Sequence, residues 1–319
     1  MNNIKKSYLN FSSSRQRLSR IQKLKRALIG SVLSPAYWML AHRYNTPGLQ
    51  FRAECGRLAL HLLFNCKKII SYTDLYHLMF WPMDSTRYFE FDFVWRILSR
   101  VQIHRYLDIS SPRLIPLILL NKRREITGDL INPDQKDLSV TSTFVNALGL
   151  TDRCFLHDCL VESAAFEVKS FDIITSISVI EHIPDDIQAI QKMWELLKPG
   201  GRLLLTVPCA AEASEQYINY DFYGLPVPKN DRGYFFLQRF YDQSLVEDRI
   251  YKTIGEPVHF SVFGEKHIGF FRRNMGEKWS NPNYPYWQEP YIMGKEYRYF
   301  SKIADLSGEG VIGMEFIKK

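Results

Sequence analysis

The chain has 319 residues, 46% hydrophobic and 24% charged, with a formal net charge of +7. Those proportions belong to folded globular proteins, exclude a disordered or low-complexity chain, and suit one large domain or one domain with substantial extensions. The cysteines (Cys55, Cys66, Cys154, Cys159 and Cys209) are odd in number and form no CxxC pair. This argues against a disulfide framework and for a reducing, cytoplasmic setting.

The excess of positive charge is concentrated at the start, in Lys5, Lys6, Arg15, Arg17, Arg20, Lys23, Lys25 and Arg26. Such a cluster is a candidate for peripheral contact with an anionic membrane or with phosphates; the alternative is a solvated basic helix. Residues 27–41 are apolar but fall short of the roughly 20 residues that span a bilayer, and Pro35 interrupts them. They predict an interfacial or packing helix. Residues 1–100 as a whole read as a helical, aromatic extension, in which Arg87, Tyr88 and Glu90 lead into an apolar helix over 93–98.

Residues 104–109 predict a buried strand with the acid Asp108 near its end. Ser110-Ser111-Pro112-Arg113 follow, then an apolar helix through Leu114, Ile115, Leu117, Ile118 and Leu119. Residues 125–130 predict a second strand whose acid, Asp129, lies 21 positions beyond Asp108. An acid about 20 residues past the first turn is where dinucleotide-type α/β folds hold ribose hydroxyls, and a carboxylate can accept both hydrogen bonds of a diol. The alternative is a surface acid after a strand. Residues 139–150 read as a helix ended by Gly149, and 154–157 as a third strand with Asp158 at its tip. Cys154, His157 and Cys159 lack a fourth partner, so no metal site is expected.

Phe171 to Pro208, FDIITSISVIEHIPDDIQAIQKMWELLKPGGRLLLTVP, reads as strand, loop, helix, turn and strand. Ile173, Ile174 and Ile177 make a buried strand, with Asp172 structural at its start. Pro184, Asp185 and Asp186 open a helix whose apolar face is Ile187, Ile190, Met193, Trp194 and Leu197. Lys198-Pro199-Gly200-Gly201 closes it ahead of Leu203–Val207, giving a βαβ unit. The strand tip Ser176-Ile177-Ser178 belongs at the mouth of an open α/β sheet, where ligands bind. His182 on the following loop is a candidate general base, or a residue that only shapes the pocket.

FDIITSISVIEHI followed by LLKPGGRLLLTVP resembles strands four and five of the class I S-adenosylmethionine-dependent methyltransferases. The resemblance implies a Rossmann-like seven-stranded α/β sheet with helices on both faces, and S-adenosylmethionine as cofactor. It implies a cofactor site from Asp108, Ser110 and Ser111 at the first turn, Asp129 on the ribose, Asp158 and Cys159 by the adenine, and the Ile177 backbone by the methionine end. An N-cap role for Asp158 is the alternative. Tyr88 and Glu90 would face the site if the extension lies over the cleft; otherwise Tyr88 packs and Glu90 pairs with Arg87. The family's Gly-x-Gly-x-Gly turn is replaced here by Ser110-Ser111-Pro112, at the steric cost of serines where glycines approach a ligand.

Two aromatic insertions are expected in the methyltransferase domain of residues 101–319, at about 209–240 and 265–308. The first, with Tyr217, Tyr220, Phe222, Tyr223, Pro226, Tyr234 and Phe236, suits a substrate cover or the cover of a sheet edge. A helix over 241–250, a strand over 256–263, a helix over 295–306 and a final antiparallel strand over 310–318 complete the fold. The expected activity is methyl transfer to a small-molecule or glycan-type acceptor, including a lipid-linked one. No nucleic acid is expected, because basic residues are not interleaved with aromatics. A catalytically inactive methyltransferase-like scaffold is the alternative, and a nucleotide-dependent oxidoreductase is disfavoured by the missing Gly-x-Gly-x-x-Gly fingerprint.

Overall fold

The sheet strands alternate apolar side chains between two cores, as a period of two dictates for a sheet covered on both faces. Tyr106, Leu130, Ile173, Ile177 and Leu204 enter one core; Leu107, Ile109, Ile131, Ile174, Leu203 and Leu205 enter the other. These positions come from a computed structural model that describes residues 4–10, 19–65, 69–221, 224 and 228–319. Cys66, Arg15, Arg17, Phe222, Tyr223 and Pro226 lie outside the described residues.

In chain order the elements are β1 (Lys5–Leu9), α1 (Arg20–Arg43), α2 (Leu49–Asn65), α3 (Tyr72–Phe80), α4 (Arg87–Leu98), β2 (Arg105–Ile109), α5 (Leu114–Lys122) and β3 (Thr127–Ile131). Then come α6 (Gln135–Ala147), β4 (Cys154–His157), β5 (Phe171–Ile177), α7 (Asp186–Leu196), β6 (Leu197–Ala210), β7 (Ser214–Ile218) and β8 (Phe235–Phe240). The last are α8 (Gln243–Val246), α9 (Lys252–Ile254), β9 (His259–Glu265), α10 (Phe270–Ser280), α11 (Glu289–Glu296), β10 (Tyr297–Phe300) and β11 (Glu309–Ile317).

The main sheet has eight strands in the order β10-β9-β11-β6-β5-β2-β3-β4. β4, β3, β2, β5 and β6 run parallel, and β11 is antiparallel to both β6 and β9. The chain therefore builds outward from β2 to β4 and returns to β5 beside β2. That reversal opens a crevice at the strand ends, the usual ligand position in open α/β sheets.

The expected helix over 295–306 is corrected: the helix is α11, Glu289–Glu296, and Tyr297–Phe300 pairs with β9 as an eighth strand. The alternating Tyr297, Arg298 and Tyr299 suit that edge, where Tyr297 stacks on Phe263 at a centroid distance of 5.7 Å. The helix expected at 139–150 starts earlier, because Asp134 caps it by accepting from the Lys136 and Asp137 amides. Within the first insertion β7 and β8 pair, and β1 joins β7 to make a second, three-stranded sheet.

Helices α2 and α4 share the core that holds α5 and one face of the main sheet. Phe89 stacks on Phe263 at 5.3 Å, and Phe93 lies where a Cβ on Gly313 would come within 2.7 Å of its ring. On the other face Asp186, fully buried in the first turn of α7, accepts from Arg239 at 2.8 Å and from Arg249 Nε at 2.7 Å. It ties β8 and the helical run after it to α7. Removing one partner of a buried pair costs about 3–5 kcal/mol. Asp186→Ala is expected to lower the unfolding free energy by about that amount in urea denaturation; a loss below about 1 kcal/mol would rule out this tie as a principal anchor.

Candidate active site

Two cavities meet at the crevice. The first, about 340 Å³, is lined from the ends of β2 to β5 by Ser110, Ser111, Pro112, Asn132, Asp134 and Cys159, among others. The second, about 810 Å³, lies toward the second sheet and α10, with Glu90, Glu181, Gln216, Gln238, Trp279 and Glu309 in its wall. Arg87, Ser178 and His182 line both.

The turn after β2 explains how the chain manages without glycine. Ser110 adopts φ +50°, the left-handed conformation a glycine takes readily and other residues at a cost. Its amide donates to Ile131 O at 2.8 Å and its hydroxyl to the same oxygen at 3.1 Å. Ser111 donates its amide to Asp108 at 3.0 Å, and its Oγ accepts the Ile177 amide at 3.0 Å. Ser178, at φ +49°, is held by the backbone and hydroxyl of Thr206 at 3.0 and 3.1 Å. Both left-handed serines line the first cavity. Strained backbone of this kind clusters at ligand sites.

The structure brings together Ser110, Ser111, Cys159 and His182 from the sequence-derived set. It places Asp108, Asp129, Asp158 and Ile177 outside the lining. Asp108 lies buried beneath the serine turn, receiving Tyr106 Oη at 3.0 Å and Thr175 Oγ1 at 2.6 Å. Burial pushes its carboxyl up to about 6 against the pull of those hydrogen bonds. Asp129 is mid-strand rather than at the tip. Its carboxylate takes Arg105 at 3.1 Å and His157 at 2.8 Å. The 21-residue spacing located the strand, and Asp129 lies within it. Asp158 is exposed and accepts from Gln135 at 2.7 Å. The Ile177 carbonyl accepts from Arg87 at 3.4 Å. Asp172 accepts the His104 and Arg105 amides at 2.8 and 2.7 Å, the structural role expected of it. Tyr88 is buried away from both cavities, while Glu90 both pairs with Arg87 at 3.1 Å and faces the second cavity.

Sequence reading missed Asn132, Asp134 and Asp137, which sit just past β3 in the first cavity. Arg113 and Asn132 hold Asp137, and Asp134 caps α6 through Oδ1. It also missed Glu181. This side chain is 2% exposed, and its Oε2 has no hydrogen-bond partner. Burial, reinforced by Glu90, pushes its carboxyl up to about 8. The adjacent His182 is pushed down to about 4 by burial, with its Nδ1 2.7 Å from the Leu237 carbonyl. A carbonyl only accepts, so the proton sits on Nδ1 and Nε2 is the basic nitrogen, 3.7 Å from Glu181 Oε1. Near pH 7 the pair is therefore a protonated acid beside a neutral imidazole.

Residues 99–248 match the family model for a methyltransferase domain. Methyltransferase GfsG of Streptomyces halstedii is 29% identical over 102 residues, 32% of this chain and 37% of that protein. The ubiquinone/menaquinone biosynthesis C-methyltransferase UbiE of Pseudoalteromonas translucida is 32% identical over 99 residues, 30% of this chain and 39% of that protein. The chain thus spans well under half the length of these curated relatives. The crystal structure of MccD protein superposes over 72% of this chain and 96% of its own, with a TM-score of 0.49 and 9% identity. Residues 99–248 thus carry the match to a methyltransferase domain, the same stretch that holds the resemblance to the class I S-adenosylmethionine-dependent methyltransferases.

The first cavity fits a nucleoside-bearing cofactor. It has the size of a small-ligand site and lies at the switch point. It offers Asn132 and Asp134 to a ribose diol and apolar Leu160, Val161 and Pro133 to a base. Asp134→Asn keeps a good N-cap but removes the charge. It is expected to weaken S-adenosylhomocysteine binding about tenfold in calorimetric titration, the worth of a charge-assisted hydrogen bond. Asp129→Asn should stay within about threefold of wild type; the reverse ranking would return the ribose to Asp129.

Proposed function

We propose that the protein transfers a methyl group from S-adenosylmethionine to a small acceptor seated in the larger cavity. The observation that carries this reading is the junction of the two cavities at Arg87, Ser178 and His182. Only a shared wall lets a donor on one side and an acceptor on the other approach in line, and alignment supplies much of the rate in a displacement of this kind. The cofactor, when bound, supplies an electrophilic methyl carbon and a neutral leaving thioether.

The cavity wall supports a hydroxyl-rich small-molecule or glycan-type acceptor, lipid-linked forms included. Gln216, Gln238 and Asn10 offer hydrogen bonds, and Trp279, Phe240 and Phe271 offer flat apolar faces. Asp84, Glu90 and Glu309 outnumber Arg87 and Arg272 in the same wall, which disfavours a phosphodiester backbone and so a nucleic acid. Cys55, Cys154, Cys159 and Cys209 are free thiols, in keeping with a reducing cytoplasmic setting.

Glu181 and His182 form the proton-accepting pair. A base works best with a pKa near the operating pH, which favours Glu181 over the weakly basic His182. His182 orients the acceptor hydroxyl through Nε2, and ionised Glu181 takes the proton. The test is formation of S-adenosylhomocysteine from S-adenosylmethionine across a panel of phenolic and glycoside acceptors between pH 6 and 9. Turnover of at least one acceptor is expected, with kcat/KM rising to a plateau above about pH 8. Glu181→Gln should lower the plateau about a hundredfold and abolish the rise. Failure of the folded wild type to bind S-adenosylmethionine would sink the enzymatic reading. An unchanged profile in Glu181→Gln would remove only the base.

A further inference from the structure

We propose that α1 docks the protein onto an anionic phospholipid bilayer through its outward face. This proposal is independent of the methyl-transfer reading.

A surface helix normally turns its apolar stripe inward; α1 does the reverse. Its inward face is polar, small and aromatic. Arg26 lies 4.6 Å from the Trp81 ring and 4.9 Å from the Tyr286 ring, and donates to Pro282 O at 2.7 Å. The α1 backbone at Gly30 passes so close to Tyr76 and Trp287 that an added Cβ would meet them at 2.8 and 3.0 Å. Ser34 and Ala41 are buried on the same side. The opposite side carries Ile21, Leu24, Leu28, Val32 and Met39, at steps of three, four, four and seven residues, which is one helical stripe. Leu28 is 61% exposed, Val32 75% and Met39 72%. A contiguous apolar stripe this exposed marks a contact surface.

Charge selects the occupant. From residue 20 to residue 43 there is no acidic side chain, and exposed Lys25 and Arg43 stand beside the stripe. Apolar side chains beside cations, with no anions, fit lipid headgroups that carry negative charge. A second copy fits less well, since a two-fold contact would bring the same cations face to face. No helix among the described residues is long and apolar enough to cross a membrane, so contact through this face is interfacial.

The test uses the purified full chain in sedimentation with vesicles of phosphatidylcholine, with and without phosphatidylglycerol. Binding is expected only with phosphatidylglycerol, weakening as salt rises. The double substitution Leu28→Ser and Val32→Ser should reduce it about tenfold or more. Both side chains point outward, so the circular dichroism spectrum should not change. Hydrogen exchange on the wild type needs no substitution; α1 amides should gain protection with anionic vesicles. Absence of sedimentation with those vesicles, equal binding by the double variant, or unaltered exchange in α1 would overturn the proposal. A wild-type dimer that the double variant converts to monomer would overturn it too, by giving the face to a second copy.

Discussion

Glu90 is the point on which both cavities depend. It is a buried carboxylate on α4, 1% exposed, in the wall between the helical layer and the strand ends. It accepts from Ser178 and from Thr206, the latter at 2.8 Å, and takes Arg87 at 3.1 Å. A buried charge is tolerable only when such partners replace water. Here the partners come from α4, the loop after β5, and β6. Arg87 and Ser178 both line the two cavities, so the ion pair that satisfies Glu90 also positions the shared wall.

Electrostatic contrast within that wall assigns chemistry to neighbouring groups. Glu90 is saturated with donors, whereas Glu181 keeps an oxygen without one. Two carboxylates side by side in a dry wall cannot both ionise cheaply. Glu181, with no donor on Oε2, holds its proton until pH rises toward about 8. The linkage for stability has a definite sign. Glu181 sits above its unfolded value, so its contribution is fully present below about pH 4.5 and is lost as pH rises toward 8. His182 sits below its unfolded value, so its contribution is present above about pH 6.5 and lost as pH falls toward 4.

The sheet was legible in the sequence because period-two apolar runs and the LLKPGGRLLLTVP turn are local signals. The serine turn was placed correctly too, and its left-handed Ser110 carries the strain expected of a residue standing where glycine is usual. The ribose acid was harder. Spacing finds a strand end to within a residue or two, but one residue decides which face a side chain takes. Spacing singled out Asp129, and the fold shows its carboxylate held by Arg105 and His157. Glu181 stayed hidden for another reason: its character comes from burial beside Glu90, 91 positions earlier in the chain. The eighth strand and the pairing of β1 with β7 likewise rest on contacts between distant segments.

The most direct measurement of the two-cavity account is a crystal structure with S-adenosylhomocysteine bound. The account predicts the adenine against Leu160 and Val161, the ribose at Asn132 and Asp134, and the sulfur at the wall of Ser178 and His182, facing the larger cavity. A ligand whose ribose engages Asp129, or whose sulfur points away from His182, would contradict it.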